Sequence, residues 1–168
     1  VLLDRAAADP ARLAEVAALT GLDRLIAAHP LGWDLPVGEA GTRGIVITSA
    51  GFREIGEEGR RLEEQVLAEQ RKFEGMRIMG PNCLGIIVPG ISLNASFAAA
   101  TPSRGHIGFI SQSGALCTSV LDWAIDEGIG FSYFVSVGNM LDVSMADLID
   151  YFGSATETQS IILYIESI

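Results

Sequence analysis

Two glycine-punctuated turns concentrate the chemistry-bearing residues of this chain, Gly80-Pro81-Asn82-Cys83-Leu84-Gly85 and Ser111-Gln112-Ser113-Gly114-Ala115. The second stands between an apolar run, His106 to Ile110, that reads as a buried strand and a helical pattern from Ala115 to Glu127. A strand that ends in a Ser/Gly turn and opens a helix aims backbone N–H groups and the positive helix end at one point. That suits a phosphate or another anion. Anion binding is therefore the chemistry expected of Ser111, Gln112, Ser113 and Gly114. The turn lacks the Gly-Lys-Ser/Thr of a Walker loop, and no Gly-x-Gly-x-x-Gly fingerprint occurs, so those two routes to a nucleotide are not expected.

Other candidates carry competing readings. Asn82 has donors and an acceptor for an amide-bearing ligand, or it caps its own turn. Cys83 follows at a strand end, yet a thiol in apolar company with no histidine near in sequence reads as packing rather than as a nucleophile. Cys117 lies among apolar helix positions and reads as core. Glu166 is a carboxylate at the end of an apolar strand, placed to orient a cationic group or to pair with a basic residue. His29 and His106 belong to no constellation. The charged residues between Glu54 and Lys72 read as a solvated helix face.

The elements that must position these residues alternate. A helix from Asp9-Pro10 to Gly21 and a shorter one around Leu22, Leu25 and Ile26 are expected first, then a break through residues 29–39. Gly44 to Thr48 is a continuous apolar run, as in a parallel strand covered on both faces. Leu62, Val66, Leu67 and Phe73 recur at helical spacing, and Met76 to Met79 is a short strand. Residues 89–104 read as a connection between two domains. Strands His106 to Ile110, Phe131 to Val137 and Ser160 to Ile165 then alternate with helices whose inward faces carry Leu116, Val120, Leu121 and Ala124, and Met145, Leu148, Ile149 and Phe152. This is the α/β class, with parallel sheets and right-handed crossovers. Ligands of such sheets bind beyond the carboxyl ends of the strands, here Ser49-Ala50-Gly51, Gly80-Pro81-Asn82, Ser111 to Gly114, Gly138-Asn139 and Glu166. The Gly-Pro and Gly-Asn pairs also read as ordinary turns.

Composition sets outer bounds. The chain of 168 residues is 49% hydrophobic and 19% charged, enough to bury a core. A net charge of −10 argues against a nucleic-acid or anionic-membrane partner. Two cysteines without paired spacing suggest no metal site and no disulfide framework, and are read as reduced, cytoplasmic thiols. There is no transmembrane-length apolar run and no signal-peptide pattern. A chain that begins at Val1 and stops at Ile168 just after a strand is read as a fragment.

Several longer motifs carry a family resemblance. Gly75 to Gly85 (GMRIMGPNCLG), Leu93 to Phe97 (LNASF) and Gly108 to Leu116 (GFISQSGAL) resemble the NDP-forming acyl-CoA synthetases, which include the ADP-forming acetate–CoA ligases and are related to the succinyl-CoA synthetase α subunit. Val135 to Asn139, Asp147 to Tyr151 and Leu163 to Glu166 continue the resemblance in order, and Ile47 to Phe52 extends it upstream, so that it covers residues 38–168. It implies an incomplete Rossmann-like CoA-binding domain over residues 38–104 and a truncated flavodoxin-like domain over residues 105–168, with residues 1–37 an unassigned helical segment. It implies an enzyme that links a carboxylic acid to CoA with ATP or ADP, through an acyl phosphate and a phosphohistidine. Ser49, Ala50, Gly51, Gly80, Pro81 and Asn82 would border CoA, and Ser111, Gln112, Ser113 and Gly114 would hold the phosphate. Glu166 would hydrogen-bond the catalytic histidine, fixing its tautomer.

The chain departs from the family pattern at both ends. Neither His29 nor His106 matches the catalytic histidine, the nucleotide-grasp domain that would bind ATP/ADP with Mg2+ has no counterpart here, and residues 1–36 do not resemble the family's first strand and glycine turn. The fragment alone is expected to be inactive and, with domains that commonly assemble, to associate as an oligomer. Two further readings remain open: a CoA-binding regulatory module fused to a protein lysine acetyltransferase, and a non-catalytic remnant. Thr118, Phe97 and Asn139 are the candidates for the lining of the acyl pocket.

Overall fold

Short apolar runs bounded by glycines form two sheets in the computed structural model, which describes residues 43–167. The helices expected before residue 37, with His29, lie outside the described residues. Strand β1 (Gly44–Val46) pairs in parallel with β2 (Arg77–Met79), and helix α1 (Glu57–Gln70) crosses between them after a 3-10 turn at Arg53–Ile55. The larger sheet holds β3 (Gly85–Val88), β4 (Leu93–Ser96), β5 (Arg104–Ser111), β6 (Phe131–Ser136) and β7 (Ser160–Tyr164) in the order β4-β3-β6-β5-β7. Helix α2 (Gly114–Asp126) joins β5 to β6, and α3 (Met145–Ser154) joins β6 to β7.

Strands β6, β5 and β7 are parallel, as the alternating pattern requires. The sheet is nevertheless mixed. Residues 85–96, which straddle the start of the expected connection at 89–104, form an antiparallel hairpin that pairs with β6 through Ile86↔Val135 and Ile87↔Phe134. A chain poor in charge and broken by Pro89 and Gly90 looks like a linker, but its apolar residues satisfy their backbone groups by extending the sheet. The larger sheet therefore draws strands from both sides of residue 105.

The core has one layer on each sheet face. Cys117, Leu121 and Ala124 of α2 pack with Phe109 and Phe134, whose rings stack at 4.7 Å. Phe152 of α3 packs with Ile110, Val135 and Tyr133, its ring stacked on that of Tyr133. All six residues of β6 are buried, as expected of a strand covered on both faces. A Cβ on Gly108 would stand 2.6 Å from the Phe152 ring, so the glycine is what lets α3 lie against β5. Ser144 and Asp147 close a reciprocal capping box that starts α3.

The inward faces differ in detail from the periodicity. Ile149 is exposed, and on α1 it is Glu63, not Leu62, that is buried. Truncating Phe134 to Ala should lower stability by about 3–5 kcal/mol, read from the urea unfolding midpoint, whereas Ile149→Ala should change it by less than about 0.5 kcal/mol.

Candidate functional site

The order of the larger sheet sets β5 between β6 and β7. The chain leaves β5 through α2 toward β6 on one side and returns through α3 to β7 on the other. The helices lie on opposite faces, and beyond the carboxyl ends of β5 and β7 the chain segments stay joined through Gln112, which bonds to Tyr164, Glu166 and Ser167. A cavity of about 340 Å³ lies at the start of α2, lined by Thr48, Asn82, Cys83, Phe97, Gln112, Ser113, Gly114, Ala115, Thr118 and Glu166.

The turn between β5 and α2 is braced from within. Ser111 is fully buried, and its hydroxyl accepts from the Ser113 N–H at 3.0 Å and donates to the Ser113 carbonyl at 2.9 Å. Ser113 is the N-cap, its side chain accepting from the Leu116 N–H at 3.3 Å. The Cys117 N–H is taken by the Ser113 carbonyl. The amides of Gly114 and Ala115, the first two helical residues, have no acceptor within the helix and belong to the cavity wall. Ser111 therefore shapes the turn from beneath. Gly114 offers an open approach, since an added Cβ would only reach ordinary contact with the Leu84 nitrogen at 3.6 Å.

The turn after β2 links both sheets. The Asn82 N–H donates to the Ser49 carbonyl at 2.9 Å, and the Asn139 N–H donates to the Pro81 carbonyl at 2.8 Å. Asn82 stands in the left-handed region, with φ 56°, and follows a cis Gly80–Pro81 peptide. Its side-chain amide donates to Asn139 Oδ1 at 3.3 Å. Gly80 and Pro81 are buried and Ser49 and Ala50 are exposed, and none of the four lines either cavity. A second cavity, of about 210 Å³, lies on the far side of the wall formed by Asn82, Gln112 and Glu166 and is also lined by Arg53, Glu54 and Asn139.

Sequence reasoning missed the acidic residues that hold this wall. Asn139 is buried, and its Nδ2 donates to Glu54 Oε2 at 2.7 Å and to Glu63 Oε1 at 3.0 Å. Glu54 Oε1 accepts from the Gly51 and Phe52 amides at 2.6 and 3.1 Å. Burial raises the Glu54 pKa, but the Asn139 amide and the backbone donors outweigh it and bring it down to about 2. Glu54 and Glu63 are thus bonded to the 51–53 loop and to Asn139, not part of a wholly solvated face. A carboxylate three residues after Gly51 at the start of a helical turn, as in a capping box, was the available signal. Glu63 gave none.

The remaining candidates separate. Cys83 is buried, donates to the Ile47 carbonyl at 3.3 Å, and burial pushes its pKa up to about 11, which leaves a packing thiol rather than an activated one. Cys117 is also buried, and its pKa is raised by burial. His106 lies within β5, its Nδ1 3.0 Å from the Glu157 carbonyl oxygen and outside both cavities. Phe97 and Thr118 line the first cavity and Asn139 the second. Among the described residues no cluster of metal-ligating side chains occurs, and no helix is long and apolar enough to cross a membrane.

Comparison with known proteins finds the same region elsewhere. Residues 104–168 match the succinyl-CoA ligase like flavodoxin domain. The chain is 49% identical over 131 residues to the α subunit of an ADP-forming acetate–CoA ligase II of Pyrococcus furiosus, covering 78% of this chain and 28% of that protein. It is 37% identical over 131 residues to an ADP-forming 4-hydroxybutyrate–CoA ligase of Nitrosopumilus maritimus, covering 77% of this chain and 19% of that protein. A solved dinucleotide-forming acetyl-coenzyme A synthetase 1 of Ca. Korarchaeum cryptofilum, in complex with phosphate and ADP, superposes with a TM-score of 0.73 at 38% identity, covering 79% of this chain and 28% of the other. The chain thus spans under a third of the length of these relatives.

The Asn139 bonds make stability depend on pH. Glu54 titrates near 2 when folded and near its ordinary value of about 4.3 when unfolded. Its contribution is therefore present above about pH 4.3 and is lost as pH falls toward 2. Urea midpoints measured between these pH values should fall less steeply for Asn139→Ala than for the wild type; equal slopes would remove the Asn139–Glu54 bond from the account.

Proposed function

We propose that the chain belongs to the NDP-forming acyl-CoA synthetase family and is part of an acid–CoA ligase that joins a carboxylic acid to CoA at the expense of ATP, or runs in reverse to make ATP. The observation that carries this reading is the cavity at the start of α2, whose wall holds Gly114, Ala115 and Glu166 together. Backbone N–H groups at the start of a 13-residue helix suit a phosphoryl group, and a net charge of −10 does not oppose them, because partial charges act over the first turn.

Roles follow for individual residues. Gly114 and Ala115 offer backbone N–H groups to the phosphate, Ser113 caps the helix, and Ser111 holds the turn in shape. Glu166 accepts a hydrogen bond from the phosphorylated histidine, which the complete enzyme supplies from outside this chain, and so stabilises its positive charge. Ser49, Ala50 and Gly51, with Gly80, Pro81 and Asn82, form the side toward CoA. The Gly51 and Phe52 amides are already held by Glu54, so this loop meets CoA through Ser49 and Ala50. CoA supplies the thiol that takes the acyl group. ATP or ADP with Mg2+ belongs to a nucleotide-grasp domain or subunit, which is the expected partner. Residues 38–104 and 105–168 serve as the CoA-binding and flavodoxin-like domains, with the hairpin of residues 85–96 pairing across that boundary.

The test is Glu166→Gln in the complete enzyme. Phosphorylation of the histidine by ATP, followed as acid-labile phosphate in a single turnover, should slow by about 100-fold, while the rise in Tm produced by inorganic phosphate persists. Phosphorylation at the wild-type rate would remove Glu166 from the mechanism. Acetyl transfer to protein lysines in place of CoA ligation by the wild type would replace the ligase reading.

A further inference from the structure

Gln112 lies where the pairing of β5 with β7 runs out, one residue beyond the last register pair, Ser111↔Tyr164. Its backbone N–H still donates to the Tyr164 carbonyl at 3.1 Å, and its side chain continues the ladder. Oε1 accepts from the Glu166 N–H at 2.6 Å and from the Ser167 N–H at 3.0 Å, while Nε2 donates to the Ser167 carbonyl at 3.0 Å. Nε2 also lies 3.9 Å from the Met140 sulfur, a weak acceptor. A primary amide offers one oxygen and two N–H donors, so these contacts take up its bonding capacity. Turning the amide over would set NH2 against two backbone N–H donors, so the observed orientation is the one that satisfies the segment.

A phosphate needs donors, and the donors of Gln112 face the chain. We infer that Gln112 is a positioning residue that holds the backbone of residues 166–167 and so aims the Glu166 carboxylate into the cavity, rather than a ligand of the phosphate. The inference rests on the role of Glu166 proposed above. It also explains why Gln112 and Glu166 appear together in the walls of both cavities: the side chain of one is bonded to the backbone of the other. Without this clamp nothing in β5 pairs with the chain beyond Tyr164, and the carboxylate would sample many orientations, a loss of alignment that costs rate rather than binding.

Two measurements on the complete enzyme test the inference. In Gln112→Ala the Glu166 and Ser167 amides should exchange with solvent about tenfold faster or more, and kcat should fall about 10- to 100-fold. The concentration of inorganic phosphate giving half the maximal Tm rise should stay unchanged. The double variant Gln112→Ala with Glu166→Gln should be no slower than Glu166→Gln alone, because the first residue acts through the second. Gln112→Glu keeps an oxygen for both backbone N–H groups and should retain more turnover than Gln112→Ala; it also carries the test if the alanine variant does not fold. Weakened phosphate binding with kcat intact, losses that multiply in the double variant, or Gln112→Glu slower than Gln112→Ala would each overturn the inference. A wild-type enzyme without ligase turnover would instead sink the function proposed above, leaving the exchange of the two amides to decide what Gln112 holds.

Discussion

The seam between the two sheets is the constraint on which the site depends. The Gly80-Pro81-Asn82 turn is gripped from both sides: Asn82 donates to Ser49, while Asn139 and Leu141 donate to Pro81 and Gly80. Next to it Val143 donates to the Ile78 carbonyl at 3.0 Å, and Asp142 accepts from the Ile78 N–H at 2.7 Å and from Gln70 at 2.8 Å. The backbones approach so closely that a Cβ on Gly138 would stand 2.2 Å from the Pro81 oxygen, and one on Gly80 would stand 2.3 Å from the Ile47 oxygen. Buried backbone groups must be paired, and here the partners come from opposite sheets. The loops that end β1, β2 and β6 are therefore fixed relative to one another before any ligand is considered.

Charge follows from that arrangement. The proposed anion site is compatible with an acidic chain because the attraction is local, from amides at the start of α2, and because nearby carboxylates are engaged. Glu54 and Glu63 accept from Asn139, Asp142 is paired with Arg77 at 3.1 Å, and Asp147 caps α3. Carboxylates that already accept several hydrogen bonds project less of their charge into the cavities. Glu166 differs: its backbone is held by Gln112 while the residue is exposed, which leaves its carboxylate free for the role proposed above.

Much of this was legible in the residues. The strand–turn–helix at Ser111 to Ala115, the three parallel strands and the buried β6 follow from periodicity and glycine placement, because local pattern and burial agree there. The hairpin of residues 85–96 was missed because its hydrogen bonds are long-range, and a segment with Pro89 and Gly90 carries the same punctuation whether it links domains or turns between strands. The Asn139–Glu54–Glu63 cluster was hidden for a related reason. A glutamate on a charged helix looks solvated until a residue 76 positions away supplies the buried amide that it accepts from. Gln112 was legible as part of the turn after β5, but the direction of its amide was not, since that depends on where the chain goes after β7.

The central claim is the proposed anion site, formed by the Gly114 and Ala115 amides in the cavity that Glu166 also lines. Crystals of the complete enzyme soaked in inorganic phosphate test it most directly. The account predicts a phosphate within about 3 Å of both amide nitrogens, on the same side of the turn as Glu166. Phosphate bound elsewhere, or a cavity filled by water alone at saturating phosphate, would contradict it.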